Sequence, residues 1–418
     1  MGGVRVRAGR TGSGTGVNLA ALRGFNAALV LDLLRAAGEG GISRLELAAR
    51  TGLTPQAVSK ITARLRAEGL AAEAGRRAST GGKPRTVWRL VPSAAHAVGV
   101  RLGRDELTAV LLDLAGDQVA ARVAPLDPGA EPERVAGAVA HEVRSLLGSL
   151  PTAAARETGN ATGRGDGPGW GGGPGAEGTS GAVGAAGAVG ATGPEGGSGP
   201  EGGRRPSRPG DRPALLGVGV AVPGPFDHAS GVPGRAAGDA DGDGHPLRSA
   251  LSARLGGLPV VLDNDTNAAA LALRREQPGS FAYLHLGTGL GAALVLGGGL
   301  HRGTRTRAGE FGHQVIQLDG PLCRCGRRGC VESLCLDAAR RGDTARSAHI
   351  LGVGAANLAG LFDIDRVLLG GRLVRAEPAV HICAVRAACG IPVALAGGGP
   401  HLIAHGAAHL ILAPVFGD

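Results

Sequence analysis

Aromatic side chains are scarce in this sequence. They account for 2% of its 418 residues, whereas hydrophobic residues of all kinds account for 43%. Its hydrophobic cores must therefore be built mainly from Leu, Val, Ala and Ile. Glycine is abundant instead, and 77 glycines with 25 prolines indicate a disordered segment in addition to glycine turns. A chain of this length has room for two or three domains.

Long apolar runs are also missing. No stretch reaches the roughly 18 apolar residues that a membrane-spanning helix needs, and residues 1–5 lack the apolar region of a signal peptide. Cysteine is absent before position 320, and three of the six cysteines fall within positions 323–330. Such clustering is typical of metal binding in a reducing compartment and not of a disulfide framework. We therefore expect a cytoplasmic protein.

Positive charge is concentrated at one end of the chain. Residues 1–95 carry a formal net charge of +10 and the remaining residues carry −1, within a total of +9. A basic terminal module suggests a polyanionic partner, which is either nucleic acid or an anionic membrane surface. The layout of this module favours nucleic acid.

The basic module has the layout of a winged helix-turn-helix. Residues 1–18, rich in Gly and Arg, are expected to be disordered, and the domain itself is expected to span residues 19–92. Thr54 can cap a helix and Pro55 suits its first turn, so the recognition helix is expected to begin there. The predicted elements are helices at about 19–37, 43–51 and from Pro55 onward, strands at 70–74 and 86–90, and between these strands a basic, glycine-rich tip at 76–85.

The second helix of such a motif enters the major groove with its exposed N-terminal residues. Gln56 can make two hydrogen bonds to adenine, and Lys60 can reach guanine or a phosphate. Basic residues of the wing would lie at a phosphate backbone or in the minor groove. The candidate DNA contacts are Arg44, Thr54, Pro55, Gln56, Ser59, Lys60, Arg64, Arg76, Arg77, Lys83 and Arg85. The alternative interpretation is a small helical domain with a solvated basic face.

A second domain is expected to begin near His96 and to extend to residue 418. Strands and helices alternate along it, which predicts an α/β fold. Residues 152–212 interrupt the pattern, because 21 of these 61 residues are Gly without a three-residue period. Such a segment buries too little apolar surface to offset its ordering entropy, so we interpret it as a disordered insertion within the domain. Strands are predicted at 98–102, 107–113, 215–222, 260–262, 281–286, 292–296 and 367–369, and helices at 132–147, 247–255, 267–273 and 345–362.

A metal site is predicted from the clustered cysteines. Cys323, Cys325 and Cys330 lie on a glycine-punctuated loop, and His313 lies ten residues before the first of them. Three thiolates and one imidazole complete a tetrahedral shell with no open position, so we expect a structural Zn²⁺. The alternative is three free thiols in a loop. The other cysteines have apolar sequence neighbours and are expected in the core; they are Cys335, Cys383 and Cys389.

Several of these segments carry a family likeness. The chain resembles the ROK (repressor, ORF, kinase) family, which contains both transcriptional regulators and sugar kinases. In the basic module the likeness lies in Ile42–Lys60 and Gly81–Pro84. In the second domain it lies in Val222–Asp227, Asp263–Ala270, Gly287–Gly291, Gly309–His313, Cys323–Glu332 and Leu369–Gly371. The resemblance implies that residues 96–418 form a two-lobed actin-like or hexokinase-like (ribonuclease H-like) sugar-kinase domain.

The resemblance also implies a sugar site beside the metal. Carboxylates accept hydrogen bonds from vicinal hydroxyls, and a buried polar pocket rejects ligands that cannot pair with it. In related kinases the residue that matches Asp265 is the general base for the attacking hydroxyl. The implied sugar contacts are Asn264, Asp265, Glu310, His313 and Glu332. The alternative is that Asn264 and Asp265 only cap the helix predicted at 267–273.

One motif departs from the kinases of the family. Their first strand pair carries an Asp-x-Gly-Gly-Thr pattern that serves the phosphate and metal chemistry. Here the matching stretch, Val100–Asp105, has Arg101 in place of the acid and lacks the Gly-Gly-Thr turn. The glycine turns 287–291 and 370–371 remain, but both can also be purely structural. We therefore expect impaired ATP binding and no catalysis, with Asp265 kept for contact to sugar.

Together these features imply a sugar-responsive regulator, most simply a repressor of carbohydrate metabolism. A homodimer, or a dimer of dimers, would place two recognition helices in successive major grooves, roughly 34–36 Å apart, on a near-palindromic operator. A sugar or sugar phosphate bound between the lobes would change the affinity for the operator. Two alternatives stay open. One is an ATP-dependent sugar kinase, and the other is an effector-independent DNA-binding protein, because the segment after Glu332 is shorter than in the family.

Overall fold

The N-terminal part of the chain, in this computed structural model, forms three helices and a small antiparallel sheet. The elements are α1 (Phe25–Ala37), β1 (Ile42–Ser43), α2 (Arg44–Thr51), α3 (Pro55–Ala67), β2 (Ala71–Arg77) and β3 (Arg85–Leu90), with the sheet in the order β1-β3-β2. The structure describes residues 24–77, 85–127, 131–150, 214–224, 226–227, 232–233, 247–304 and 307–417. The predicted disordered segments 1–18 and 152–212 lie outside these ranges, as do the predicted helix residues 19–23 and Lys83 at the wing tip.

Local capping explains why α2 begins where it does. Ser43 and Glu46 form a reciprocal capping box, in which each side chain accepts a hydrogen bond from the other residue's backbone N–H. Gly52 ends α2 in the left-handed conformation that a residue without Cβ adopts most easily. The sequence therefore specifies the helix-turn-helix locally.

The second domain contains two five-stranded sheets with helices between and around them. The first sheet is built from β4 (Ala95–Leu102), β5 (Glu106–Asp113), β6 (Gln118–Pro125), β7 (Ala214–Val222) and β10 (Val260–Asn264), in the order β10-β7-β4-β5-β6; a separate small pair is formed by β8 (Phe226–Asp227) and β9 (Val232–Pro233). The second sheet is built from β11 (Phe281–Leu286), β12 (Leu290–Leu296), β13 (Gly299–His301), β14 (Arg366–Gly370) and β15 (Val393–Leu395), in the order β13-β12-β11-β14-β15.

The two sheets share one topology. Each has three antiparallel strands in succession, and each adds parallel strands beside the first of the three. This repeated pattern is the two-lobed, hexokinase-like α/β architecture that the resemblance implied. The helices are α4 (Pro132–Gly148), α5 (Leu247–Arg254), α6 (Asp265–Leu273), α7 (Val331–Arg340), α8 (Thr344–Phe362), α9 (Arg372–Ala376), α10 (Pro378–Cys389) and α11 (Leu402–Leu412). Among the described residues, none of the helices is both long and apolar enough to span a bilayer.

The helix α11 packs between the first sheet and α6. A Cβ atom on Gly99 of β4 or on Gly219 of β7 would collide with its backbone, and one on Gly406 of α11 would collide with Ala268 O of α6. Since only glycine permits such close backbone approach, α11 is held against both the first sheet and α6. Helix α6 begins at Asp265, so α11 packs directly on an element of the predicted sugar site.

The hydrophobic core is continuous from the N-terminal domain into the second domain. A single buried cluster contains Leu31 and Leu34 of α1 together with Leu412, Val415 and Phe416 at the end of the chain. The Arg35 guanidinium lies 3.9 Å from the centroid of the Phe416 ring, which is a cation–π contact. The two domains are therefore packed together rather than joined by a free linker.

Several expectations of the sequence analysis need correction. The helix predicted at 267–273 begins at Asp265, and α7, which was not predicted, follows directly after the cysteine loop. Cys335 is buried as predicted and Cys389 is half-buried, but Cys383 is exposed. Helix α10 buries His381 and Val385, which lie four residues apart, and Cys383 falls on the opposite face.

Candidate functional site

The recognition helix α3 presents its first turns to solvent. Thr54 caps the helix by accepting a hydrogen bond from Ala57 N at 3.2 Å. Val58, Thr62 and Leu65 are buried along the opposite stripe. The exposed candidates are Thr54, Pro55, Gln56, Lys60 and Arg64, while Ser59 is half-buried. The predicted contacts to DNA on this helix therefore lie on a single accessible surface.

Two other predicted DNA contacts also bond within their own domain. Arg44 Nε donates to Thr62 Oγ1 at 3.0 Å, and its guanidinium lies 4.7 Å from the centroid of the Trp88 ring. Arg77 Nη1 lies 3.3 Å from Glu46 Oε1. A guanidinium has five donors, so each arginine keeps donors that a phosphate can use. Arg76 and Arg85 are exposed on the two wing strands.

The four predicted metal ligands lie together. The ligand atoms of His313, Cys323, Cys325 and Cys330 all fall within 4.8 Å of one another. Cys325 Sγ is 3.6 Å from Cys330 Sγ, and Cys323 Sγ is 3.5 Å from His313 Nδ1. In a tetrahedral zinc site with Zn–S bonds of about 2.3 Å, sulfur atoms lie roughly 3.7 Å apart. The donor set and its spacing therefore fit Zn²⁺.

Glycines shape the loop that carries these thiols. Gly326 and Gly329 have φ values of +84° and +67°, which the chain needs in order to reverse between Cys325 and Cys330. A Cβ on Gly329 would also collide with Gln317 O. Cys330 pairs with Val315 in an antiparallel bridge, which brings the last thiol back toward His313.

The electrostatic balance of the thiols favours a bound cation. Burial opposes ionisation of Cys325, but hydrogen bonds from Arg327 and from the neighbouring thiols lower its pKa to about 7. Burial, followed by the neighbouring thiols, raises the pKa of Cys330 to about 12. Without a metal the cluster therefore resists carrying three thiolates, whereas a divalent cation among them would stabilise all three.

His313 lies between the thiol cluster and Glu310, another of the predicted sugar contacts. Its Nδ1 atom faces Cys323, while its Nε2 atom lies 3.9 Å from Glu310 Oε2. A metal on Nδ1 would leave Nε2–H free to donate a hydrogen bond to a hydroxyl group or to Glu310. That hydrogen bond would also fix the orientation of the ring. The metal role and the sugar role predicted for His313 can therefore coexist.

Asn264 and Asp265 stand at the junction of β10 and α6. Asn264 Oδ1 accepts a hydrogen bond from Thr266 N at 2.9 Å and so caps α6. The same side chain approaches Gly224, because a Cβ there would lie 2.7 Å from Asn264 Nδ2 and 3.8 Å from Glu310 Oε1. Capping is thus present, as the alternative interpretation held, and it leaves the amide nitrogen on the side of Gly224 and Glu310.

Asp265 lies in an environment that disfavours its charge. Burial raises the pKa of this carboxyl to about 6, against the opposing effects of the Thr266 N–H and of the positive charge of Arg101. Arg101 thus lies near enough to lower the pKa of Asp265. Sequence analysis had noted Arg101 only because it replaces the acid of the kinase motif. Asp263, which precedes these residues, is fully buried and paired with Arg302 at 2.7 Å.

Glu332 is the most buried of the predicted sugar contacts, with 5% of its side chain exposed. It accepts a hydrogen bond from Leu290 N at 2.8 Å, and Arg324 Nε lies 3.0 Å from its other oxygen. A Cβ on Gly289 would lie 3.0 Å from Glu332 Oε2, so the glycine turn borders this carboxylate. Sequence analysis missed Arg324; its position between two predicted metal ligands was a signal for the residue itself, but not for its pairing with Glu332.

The structure therefore brings Asn264, Asp265, Glu310, His313 and Glu332 into the same region, with the thiol cluster beside it. Parallel strand ends explain this convergence. Asn264 of β10 pairs with Val222 of β7, and Arg101 of β4 pairs with Ala221 of β7, so three carboxyl ends meet at one edge of the first sheet. Ligands of α/β proteins commonly bind outside such an edge.

Comparisons with known proteins agree with this architecture. Residues 208–346 match the ROK family model, and residues 29–71 match a winged helix-turn-helix DNA-binding model. The xylose repressor of Bacillus subtilis is 22% identical over 81% of this chain and 80% of its own length. Two other curated relatives, xylose repressors from Caldicellulosiruptor species, are matched over only 33% and 50% of their own length.

Solved structures of the family have the same fold. A ROK family transcriptional regulator, homologous to the Escherichia coli MLC protein, superposes with a TM-score of 0.66 and 18% identity, over 95% of this chain and 97% of that one. The ROK hexokinase of Thermus thermophilus superposes with a TM-score of 0.53 and 25% identity, over 77% of this chain and all of that one. Regulators and kinases are therefore both among the similar proteins.

Proposed function

Because the chain joins a winged helix-turn-helix to a ROK family domain, we propose that it is a transcriptional repressor of carbohydrate metabolism controlled by a sugar or sugar phosphate. The observation that carries this proposal is the core shared by the two domains, which includes α1 and the end of the chain. Helix α11 in turn packs on α6, whose first residue is Asp265. A ligand at Asp265 can thereby act on the orientation of α3.

In this proposal the protein acts in the cytoplasm as a homodimer or a dimer of dimers on a near-palindromic operator. The exposed N-terminal residues of α3 contact base edges, and the basic wing contacts phosphates. Sugar hydroxyls bind between the lobes to Asn264, Glu310 and Glu332. The two lobes are expected to adopt two arrangements, and the ligand favours the one that it binds more tightly. The change in operator affinity cannot exceed the difference in ligand affinity between the two arrangements.

The metal has a structural role in this proposal. His313, Cys323, Cys325 and Cys330 would hold Zn²⁺ in a closed shell without an open position, so the ion would supply folding energy. Through His313 it would also keep Glu310 in place. The chemistry of ligand recognition then belongs to the carboxylates and amide of the cleft.

The proposal is tested by isolating the genomic sites that the full-length protein occupies and measuring its affinity for the recovered duplexes. At least one sugar or sugar phosphate from a panel should change the operator dissociation constant by tenfold or more, which is about 1.4 kcal/mol. Calorimetric titration should detect the same ligand. Absence of any preference over random duplex at moderate salt would refute DNA regulation, since only the non-specific electrostatic term would remain.

The second candidate function is sugar phosphorylation, which the retained Asp265 favours. A carboxyl with a pKa near 6 is suited to general-base work at neutral pH. Arg101, however, places a cation where family kinases carry an acid, and the positive charge opposes the binding of Mg²⁺. We expect no ATP consumption above background with hexoses or amino sugars in a coupled assay. Sugar-dependent turnover would support the kinase instead.

A further inference from the structure

An ion pair joins the two lobes next to the proposed sugar contacts. Asp263 lies in β10, an edge strand of the first sheet, and Arg302 directly follows β13, an edge strand of the second sheet. Arg302 Nε donates to Asp263 Oδ2 at 2.8 Å, and Arg302 Nη2 lies 2.7 Å from the same oxygen. The side chain of Asp263 is completely buried, so this carboxylate holds its neighbours in place and does not itself face a ligand.

The other oxygen of Asp263 holds the segment that carries Asn264 and Asp265. Asp263 Oδ1 accepts hydrogen bonds from Asn264 N at 2.8 Å and from Asn267 Nδ2 at 3.0 Å. A buried carboxylate is tolerated when its oxygens are paired in this way. The end of β10 and the first turn of α6 are thereby fixed to the same group that Arg302 binds.

The backbone of Arg302 is connected to the other half of the proposed sugar site. Arg302 O accepts a hydrogen bond from Ala308 N at 3.2 Å, so the chain returns to Arg302 immediately before Gly309 and Glu310. Gly309 O accepts from Ala292 N at 3.2 Å, and a Cβ on Gly309 would lie 2.1 Å from Ala292 O. The segment that carries Glu310 is therefore packed closely against β12.

A neutral hydrogen bond accompanies the ion pair. Thr266 Oγ1, in the first turn of α6, donates to Ala292 O at 2.9 Å, and this contact is buried. Ala292 thus binds the start of α6 through its carbonyl group and Gly309 through its N–H. Arg302 contacts both halves of the site as well, one through its side chain and the other through its backbone.

We propose that Arg302 is a positioning residue of the sugar site, which holds Asn264 and Asp265 at a fixed spacing from Glu310. This inference rests on the proposed function, because these three residues are predicted sugar contacts. A guanidinium that donates twice to a buried carboxylate restrains orientation as well as distance. A ligand that is bound by both segments gains affinity from this arrangement, because the segments need not be ordered when the ligand binds.

The first test needs no ligand. Amide hydrogen exchange of the full-length protein, followed by mass spectrometry, reports on Asn264 N–H and Ala308 N–H, whose acceptors are Asp263 and Arg302. Arg302→Gln lacks the guanidinium that reaches Asp263, so it should raise exchange in the two peptides by about tenfold or more. Arg307→Gln is the matched control, because Arg307 is exposed in the same loop and should leave exchange unchanged.

The second test measures ligand affinity by calorimetric titration of the full-length protein at constant pH and salt. The probes are xylose, glucose, N-acetylglucosamine and N-acetylmannosamine. For each sugar that binds, Arg302→Gln should weaken the affinity by about tenfold or more. Arg302→Lys keeps the positive charge without the planar fork, so its affinity should lie in between. Arg307→Gln should bind as tightly as the unaltered protein.

A double variant separates positioning from stability. Arg302→Gln leaves the buried carboxylate of Asp263 unpaired, which is strongly destabilising and could unfold the protein. Asp263→Asn combined with Arg302→Gln removes both charges, so the melting temperature should recover while the sugar affinity stays about tenfold weaker. Full sugar affinity in the stable double variant would mean that the ion pair only stabilises the fold, and would overturn the inference.

The outcomes also separate this inference from the proposed function. Unchanged exchange in a folded Arg302→Gln variant, or unchanged affinity for a sugar that the unaltered protein binds, would overturn the positioning role and leave sugar control of the operator intact. If the unaltered protein bound none of the four sugars, the proposed function would lose support. The exchange experiment alone would then decide whether Arg302 holds the two segments together.

Discussion

The proposed DNA-contacting surface and the proposed sugar site, called the cleft below, are built in opposite ways. The DNA-contacting surface comes mainly from one helix, its candidates are exposed, and capping residues next to them fix its position. The predicted sugar contacts come from three separated segments, 264–265, 310–313 and the start of α7, and their carboxylates are at least partly buried. A surface of the first kind should tolerate substitution and lose only binding energy. In a site of the second kind, substitutions should change the stability as well as the binding.

The largest effect is expected from removing a metal ligand. Structural zinc sites contribute on the order of 10 kcal/mol to folding, which is comparable with the whole stability of a domain. Cys325→Ser should therefore abolish zinc binding, measured by elemental analysis, and should destabilise the second lobe and ligand binding with it. Cys383→Ser is the control, because Cys383 is exposed and outside the cluster. Normal stability of Cys325→Ser would disprove the structural role of zinc.

A large effect is also expected where α11 meets α6. Gly406→Ala would drive a Cβ into Ala268 O, and overpacking of this kind costs about 1–3 kcal/mol or more. Gly360→Ala in α8 is the matched helix substitution, because no atom lies within 4 Å of its Cβ position. It should stabilise the protein by up to about 1 kcal/mol. Urea unfolding of the two variants measures the difference, and equal stabilities would mean that α11 is loosely packed.

A smaller effect concerns the charge of Asp265. The native state raises the pKa of this carboxyl from 3.8 to about 6 by burial, so the native state binds the proton more tightly than the unfolded chain. Stability is therefore lost as the pH rises from about 4 to about 6. Asp265→Asn should remove that loss, which is on the order of 2–3 kcal/mol. Urea unfolding across this pH range measures it, with Asp105→Asn in an exposed turn as the control.

The smallest effect on stability is expected on α3. Gln56→Ala should cost about 1–3 kcal/mol of specific binding, and Lys60→Ala should weaken binding to all sequences and reduce the salt slope by about 1. Neither variant should change the melting temperature appreciably. Arg66→Ala serves as the control, because Arg66 pairs with Glu73 at the far end of the helix. A strong loss of stability in Gln56→Ala would contradict the separation of surface and core.

The same contrast explains how much of the structure could be predicted from the sequence. The helix-turn-helix was predictable, because Ser43, Gly52 and Thr54 act within a few residues of their own positions. Helix α7 was missed because it starts directly after a metal ligand, although Val331, Cys335 and Ala338 have helical spacing. The burial of Cys383 was predicted wrongly because apolar sequence neighbours do not reveal which face of α10 is covered.

The contacts within the cleft depend on tertiary geometry. The clustering of His313 with three cysteines could be predicted, since thiol chemistry and spacing are local signals. The pairing of Arg324 with Glu332 could not, because it requires the turn set by Gly326 and Gly329. The effect of the Arg101 charge on the pKa of Asp265 could not be predicted either. It depends on the parallel register of strands that lie more than one hundred residues apart in the sequence.

The attachment of α1 to Phe416 has a practical consequence for anyone dissecting this protein. A fragment ending at Leu90 would expose to water the apolar side of α1 that Leu412, Val415 and Phe416 now cover. Such a fragment would tend to aggregate before it could be judged as a DNA binder. Deleting only the residues after His401 would uncover the same patch of α1, so either truncation would mimic loss of operator binding without touching a base contact.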